Sequence, residues 1–309
     1  MERVLEVFVH QYTNNNIYKA YCDRINRNPS NVCIVADIPF LPISFFKTHK
    51  VITGQEEVQL VFESSGTTGE NTSKHFITDK LLYETNLIAG FEYHYGATEN
   101  YTILALLPSY LERSNASLVY MAKTLMSKSK HKANGFYLNE WEQLALTIQQ
   151  LETNKQKTIL LGVTFALLDF ASAYPLHLHN TIVMETGGMK GRRDEWTREQ
   201  VHSFLKERWK INEVHAEYGM TELLSQAYAV KEGLFSPSKT MRVLIRDLND
   251  PFEVNSSGTG CLNIIDQANI NSCCFIATDD IGTVYPDGSF KVLGRTDYAA
   301  LRGCSLMTA

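Results

Sequence analysis

The chain of 309 residues lacks long apolar runs, an excess of positive charge and any familiar cysteine pattern. Its N-terminal stretch MERVLEVFVHQYTNNN breaks the first apolar residues with Glu2, Arg3 and Glu6, leaving nothing as long as a signal peptide or a membrane span requires. A cytoplasmic protein with no membrane span is therefore expected. Lys and Arg number 29 against 34 Asp and Glu, a formal charge of -5 spread along the chain, so no basic field exists to hold a nucleic-acid backbone. Six cysteines, at 22, 33, 261, 273, 274 and 304, are too few for a disulfide scaffold and show neither CxxC nor Cys/His zinc spacing. The adjacent Cys273 and Cys274 point to opposite faces of a strand-like run and read as core. His177 and His179 lack a third metal ligand. There is no long Gly/Ser linker, low-complexity tract or internal repeat.

What remains is a packed protein, 44% hydrophobic and long enough for one large domain or two ordinary ones. VQLVFE (58–63), YTILALLP (101–108), TILLGV (158–163) and TIVMET (181–186) read as strands. Residues 1 to about 27 read as helical, prolines break the segment from Asn28 through Pro39 and Pro42, and Asp79 caps a helix in KLLYETNLIAGFEYHYG. Charged faces mark 139–155 and 194–208 as outer helices. Repeated strand, loop and helix units imply an α/β fold, a mainly parallel sheet covered by helices on both faces. Beyond about residue 235 short strand-like runs take over, separated by turns such as Pro286-Asp287-Gly288. The expected organisation is an α/β core over 1–235 and a β-rich portion over 236–309, with a soft boundary.

One loop carries chemistry. In ESSGTTGENTSKH (63–75), Gly66 and Gly69 let the backbone approach a ligand, Ser64, Ser65, Thr67 and Thr68 offer hydroxyls, and Lys74 adds a cation, a set suited to phosphate as well as to an ordinary turn. No Gly-Lys-Ser/Thr follows Gly69, which excludes a Walker P-loop. His75 lies beside Lys74 and is a second candidate at the phosphates.

SSGTTG followed by a lysine resembles the phosphate loop of the adenylate-forming superfamily, whose members make acyl-adenylates from carboxylic acids and ATP. Tyr218-Gly219-Met220-Thr221-Glu222 resembles the Tyr-Gly-x-Thr-Glu motif of that superfamily, Thr278-Asp279-Asp280-Ile281-Gly282 its Thr-Gly-Asp-Leu-Gly, and Gly294-Arg295-Thr296-Asp297 its Gly-Arg-x-Asp, all in the right order. The resemblance implies that Tyr218 stacks on adenine, that Thr221 bonds the α-phosphate and that Glu222 binds Mg²⁺. It implies further that Asp280 accepts from the ribose diol while Arg295 reaches the ribose or the phosphates. IPFLPISFFK (38–47), LLPSYLERSNASLVYM (106–121), ETGGMKGRR (185–193) and LRGCSLM (301–307) are similar, more narrowly, to the acyl-protein synthetases that activate fatty acids for the reductase complex of bacterial luminescence. In that likeness Gly187 and Gly188 line the adenine, and Cys304, after Arg302 and Gly303, is the acyl-accepting thiol.

The family implies two half-reactions: formation of an acyl-adenylate from ATP, with Mg²⁺, then attack by a thiol to give a thioester and AMP. Asp279 replaces a glycine of the motif, and Glu70-Asn71-Thr72-Ser73 lengthens the link to Lys74. The large domain of an adenylate-forming enzyme is expected, with the mobile C-terminal domain and its lysine absent or truncated. Lys74 or the cluster Lys190, Arg192 and Arg193 then become candidates for the adenylation cation. Coenzyme A or a carrier protein stands as an alternative acyl acceptor, and a non-catalytic adenylate- or partner-binding module as an alternative of another class. An acyl-reductase or acyl-transferase is the partner the first reading calls for.

Overall fold

The computed structural model describes residues 2–64, 72–108, 115–187 and 196–296. Ser65, Gly66, Thr67, Thr68, Gly69, Gly188, Lys190, Arg192, Arg193, Asp297 and Cys304 lie outside them.

Among the described residues a 13-stranded sheet forms the backbone of the molecule. Gly135–Tyr137, Thr102–Leu106, Thr158–Gly162, Thr181–Glu185 and His215–Tyr218 lie side by side in parallel. The sheet then turns antiparallel, through Ala227–Ala229, Phe235–Pro237, Phe290–Arg295, Phe275–Val284, Gly258–Asp266 and Met241–Arg246 to Val254–Asn255, and the thirteenth strand, Leu41–Pro42, pairs in parallel with Phe275–Val284. It passes residue 235 without a break. Every residue of Thr102–Leu106 and Thr158–Gly162 is buried, as expected for strands whose two faces are both covered. A separate hairpin pairs Leu60–Glu63 with Lys74–Ile77.

The helices follow the readings of the sequence closely. Lys80–Tyr95 starts where Asp79 accepts from the Leu82 backbone N–H, and Trp141–Thr153 falls inside 139–155. Arg198–Trp209 begins at a capping box in which Thr197 and Gln200 satisfy each other's backbone N–H groups. Glu2–Asn14 and Asn16–Arg24 account for the helical N-terminus.

The apolar interior has two parts. One joins the parallel strands to their helices around Leu104, Leu160, Val183 and Trp209. The other packs the N-terminal segment, with Phe8, Tyr18, Phe40 and Phe46, against the antiparallel strands. Phe275 is its centre, fully buried, with ring centroids of Tyr18, Phe40 and Phe8 at 5.9, 6.0 and 6.4 Å. Phe275→Ala is therefore expected to cost about 3–5 kcal/mol in urea unfolding, through lost burial and the cavity left behind. A loss below about 1 kcal/mol would contradict this packing.

Candidate active site

Two strands deliver their carboxyl ends, and one helix its start, to one cavity of about 420 Å³. Thr186 follows Thr181–Glu185, Gly219 through Leu223 follow His215–Tyr218, and Ala116, Ser117, Leu118 and Met121 come from the start of the helix Ser117–Ser129. The crevice beyond the carboxyl ends of parallel strands is where α/β sheets bind ligands. Ser64 and Ser73 enter from the hairpin, Ile43 and Lys47 from the N-terminal segment, Asp279 and Arg295 from the antiparallel strands.

The hairpin closes the base of the glycine loop. The Ser64 N–H donates to the Ser73 carbonyl at 3.0 Å, and the Ser73 N–H donates to the Ser64 hydroxyl oxygen at 2.9 Å. The two ends of the loop are thereby held at the mouth of the cavity. Lys74 sits opposite Glu63 in the hairpin, its Nζ 3.4 Å from the Glu63 carboxylate and its side chain half exposed, and it does not line the cavity. Strand alternation explains this, since His75 and Ile77 take the buried face.

The turn carrying Thr221 and Glu222 is anchored through its main chain. His75 is fully buried, with Nδ1 2.8 Å from the Thr221 carbonyl oxygen and Nε2 3.0 Å from the Asn269 side-chain oxygen. Asn269 Nδ2 donates to the Glu222 carbonyl at 2.8 Å. The buried Asp266 carboxylate accepts from the N–H groups of Leu224 and Ser225 at 2.8 and 2.9 Å and from the Ser225 hydroxyl at 2.6 Å. With its backbone fixed from three sides, the turn presents the Glu222 side chain, 5% exposed, to the cavity. Burial pushes this carboxyl above the usual range, against the lowering effect of the Ser73 hydroxyl and the more distant Arg295.

Burial also pushes the His75 imidazole down from 6.5 to about 4, overcoming the two oxygens that favour its charged form. The folded chain thus binds fewer protons than the unfolded chain between about pH 4 and 6.5, so stability falls as the pH drops through that window. His75 alone accounts for roughly 2–3 kcal/mol lost by pH 4.5 relative to pH 7.5, read from urea midpoints. His75→Gln is expected to flatten this slope, and an unchanged slope would contradict the assignment.

Two motif residues act behind the cavity wall. The Tyr218 ring lies 5.8 Å from Phe235 and 5.3 Å from Phe290, and its hydroxyl donates to Asp280 Oδ2 at 2.8 Å. The other Asp280 oxygen accepts from Arg295 Nε at 2.8 Å, so the buried carboxylate ties the tyrosine to the guanidinium. Gly187 has φ +72°, the left-handed region, with open space where a side chain would be; its carbonyl accepts from the Thr164 N–H at 3.1 Å. Of the expected site residues that are described, Ser64, Gly219, Thr221, Glu222 and Arg295 share the cavity, Asp280 and Tyr218 back it, and Lys74 and Gly187 lie outside its lining.

Sequence reasoning passed over Lys47, Glu63, Ser73, Thr186, Glu217 and Gln226, all of which line the cavity. Lys47 ends one of the stretches similar to the acyl-protein synthetases, and Glu217 directly precedes the Tyr-Gly motif, so position beside a motif was the available signal. Among the described residues no group of three or more His, Cys, Asp or Glu is placed to hold a metal, and no helix is long and apolar enough to cross a membrane. Cys22, Cys273 and Cys274 are buried in the second core, where burial pushes the Cys22 and Cys273 thiols up to about 12.

The family described as "Acyl-protein synthetase, LuxE" matches residues 1–309. A long-chain-fatty-acid–luciferin-component ligase of Photorhabdus luminescens is 37% identical over 67 residues, which cover 21% of this chain and 57% of that protein. The ligase of the same name from Vibrio harveyi is 23% identical across 97% of this chain and 84% of its own length. Among solved structures, 2-hydroxyisobutyryl-CoA ligase in complex with 2-HIB-AMP and CoA superposes with a TM-score of 0.70 at 12% identity, over 96% of this chain and 74% of that one. ATP-bound MatB from Rhodopseudomonas palustris gives 0.57 at 15% identity, over 78% of this chain and 49% of its own. The chain thus spans about half the length of MatB, and the likeness to both structures is one of fold.

Proposed function

The chain belongs to the LuxE acyl-protein synthetase family, and from that premise we propose that it is an AMP-forming acid–thiol ligase. It activates a carboxylic acid with ATP and then carries the acyl group as a thioester on Cys304. A long-chain fatty acid is the substrate suggested by the names of its relatives. The supporting observation is the cavity itself, in which Ser64, Gly219, Thr221, Glu222 and Arg295, drawn from distant parts of the chain, face one space.

In the first half-reaction a carboxylate oxygen of the acid attacks the α-phosphorus of ATP and pyrophosphate leaves. Charge builds on the phosphate oxygens, and preorganised donors there lower the barrier. Ser64 and the glycine loop from Ser65 to Gly69 hold the tail phosphates, the Thr221 hydroxyl bonds the α-phosphate, and Lys47 and Arg295 supply positive charge from the cavity wall. Lys74 or the cluster Lys190, Arg192 and Arg193 is the candidate for the further adenylation cation. Gly187 and Gly188 border the adenine with main chain alone. Tyr218 and Asp280 fix Arg295 from behind the wall, and Arg295 reaches the ribose or the phosphates.

The donor set suits Mg²⁺, which takes one or two carboxylates and completes its shell with phosphate oxygens and water. Glu222, a buried carboxylate displaced upward by desolvation and beside the Ser73 hydroxyl, is the residue that would hold it. When bound, the ion offsets the charge of the phosphates. In the second half-reaction the Cys304 sulfur, as thiolate, attacks the carbonyl carbon of the mixed anhydride, the C–S bond forms, and the bond to the phosphate oxygen breaks to release AMP. On this reading the division near residue 235 separates the half that holds the phosphates from the half that provides Asp280, Arg295 and Cys304. A cytoplasmic acyl-reductase or acyl-transferase then takes the cargo.

Intact-protein mass spectrometry after incubation with ATP, Mg²⁺ and a panel of carboxylic acids tests the proposal. The expected result is a mass gain equal to one acid less one water, removed by neutral hydroxylamine. In a parallel incubation that also contains coenzyme A, acyl-coenzyme A in solution with no adduct on the protein would shift the acceptor, and neither product with any acid would overturn the reading.

A further inference from the structure

Beside the cavity lies a charged cluster that the proposed reaction does not use. Glu185, the last residue of the strand Thr181–Glu185, is 4% exposed, and its two oxygens are engaged by different elements. Oε2 accepts from the Thr164 hydroxyl at 3.0 Å, and Oε1 accepts from Arg198 Nε at 3.2 Å. The buried His202 brings its Nε2 to 3.8 Å from Oε1. Burial works against the charged form of Glu185, but the imidazole, the guanidinium and the hydroxyl outweigh it and hold the carboxyl below the usual range. Glu185 is thus an ionised anchor directly before Thr186, which lines the cavity, and Gly187.

Arg198 stands at the start of the helix Arg198–Trp209, an end where the helix dipole disfavours a cation. Its place there follows from what its side chain reaches. Beyond Glu185, Nη1 extends to the Val292 carbonyl at 3.4 Å, on the strand Phe290–Arg295 that ends in Arg295. The guanidinium carbon lies 5.3 Å from the centre of the Phe235 ring, which is stacked on Phe290 at 5.4 Å and stands 5.8 Å from Tyr218. Tyr218 in turn bonds Asp280, and Asp280 bonds Arg295. The chain leaves room for this arm at Gly233, where a Cβ would lie 2.8 Å from Arg198 Cδ. A planar guanidinium with donors on separate nitrogens spans two acceptors in this way, whereas the ammonium of a lysine is a single point of charge.

Arg198 therefore joins the parallel part of the sheet, at the strand that leads into Thr186, to the antiparallel strand that carries Arg295, and Thr186 and Arg295 both line the cavity. We propose that Arg198, held by Glu185, is a positioning residue for the nucleotide, setting the distance between the Thr186–Gly187 turn and Arg295. This rests on the acyl-activating reading and gives its nucleotide site a support outside the lining. Removing one partner of such a pair would leave the other charge buried and uncompensated, so the informative substitutions keep both charges or remove both.

The test is acid-dependent exchange of labelled pyrophosphate into ATP, resolved into kcat and the KM values for ATP and for the acid, beside urea midpoints. Arg198→Lys keeps a charge opposite Glu185 and gives up the second arm to Val292. The double substitution Glu185→Gln with Arg198→Met removes both charges together. In each variant KM for ATP is expected to rise about tenfold, with kcat and KM for the acid within about twofold of the wild type. A side chain needed only for folding would instead lower the active fraction, and so kcat, with KM for ATP unmoved. Unchanged KM for ATP in both variants, or a fall in kcat alone, overturns the proposal and leaves the acyl-activating reading standing. A wild-type chain that shows exchange with no acid overturns that reading and this proposal with it.

Discussion

Replacing Cys304 by serine is expected to lower the acyl label retained on the protein by at least about tenfold while pyrophosphate exchange persists. The argument comes from thiolate chemistry. Only the thiolate attacks an acyl-adenylate at a useful rate, and a thiol pushed up to about 12 holds a negligible fraction of it at neutral pH. That removes Cys22 and Cys273, and Cys274 is pushed up in the same way by burial and by its neighbour Cys273. Cys261 is buried within the sheet, while Cys33 is exposed but does not line the cavity. Cys33→Ser is thus the control and should retain full label. Cys304, which follows Arg302 and Gly303 in the sequence, is the thiol that the likeness to the acyl-protein synthetases points to. Undiminished, hydroxylamine-sensitive label on Cys304→Ser would move the acceptor to another residue.

Glu222→Gln is expected to reduce pyrophosphate exchange by about 10²- to 10³-fold, the scale of losing one preorganised group at developing charge. The substitution keeps shape and removes charge. Because His75, Asn269 and Asp266 hold the turn through its main chain, the backbone has no reason to move. The fold should become slightly more stable near pH 7, since an ionised carboxylate that burial has pushed upward costs stability where it is charged. Loss of exchange with an unchanged or higher urea midpoint therefore separates a lost chemical role from simple unfolding. A variant with wild-type exchange would remove Glu222 from the reaction.

Much of this fold was legible because local signals agreed with one another. The fully apolar runs at 101–108 and 158–163 became the central parallel strands, and Asp79 and Thr197 mark helix starts by side-chain caps. What the chain order hides is long-range partnership. The N-terminal helices and Phe40 pack on Phe275, more than two hundred residues away, and nothing in the spacing of either segment announces the other. For the same reason Lys47 was passed over: its helix Phe45–Thr48 is brought to the cavity by tertiary packing alone.

The motifs showed which residues to expect at the site but not which of them face the ligand. Tyr218 and Glu217 are neighbours on one strand, and strand alternation sends the tyrosine into the core behind the cavity and the glutamate into the cavity itself. Alternation could have been applied in advance, had the direction of one of the two been known.

The central claim is that the glycine loop, the Tyr218–Glu222 segment and the Asp280–Arg295 pair surround one nucleotide. Its most direct test is a crystal structure of the full chain grown with AMP. The account predicts the phosphate in the cavity of about 420 Å³, within hydrogen-bonding distance of the Thr221 hydroxyl, with the ribose towards Asp280 and Arg295. AMP bound at any other surface, with this cavity holding only water, would contradict it.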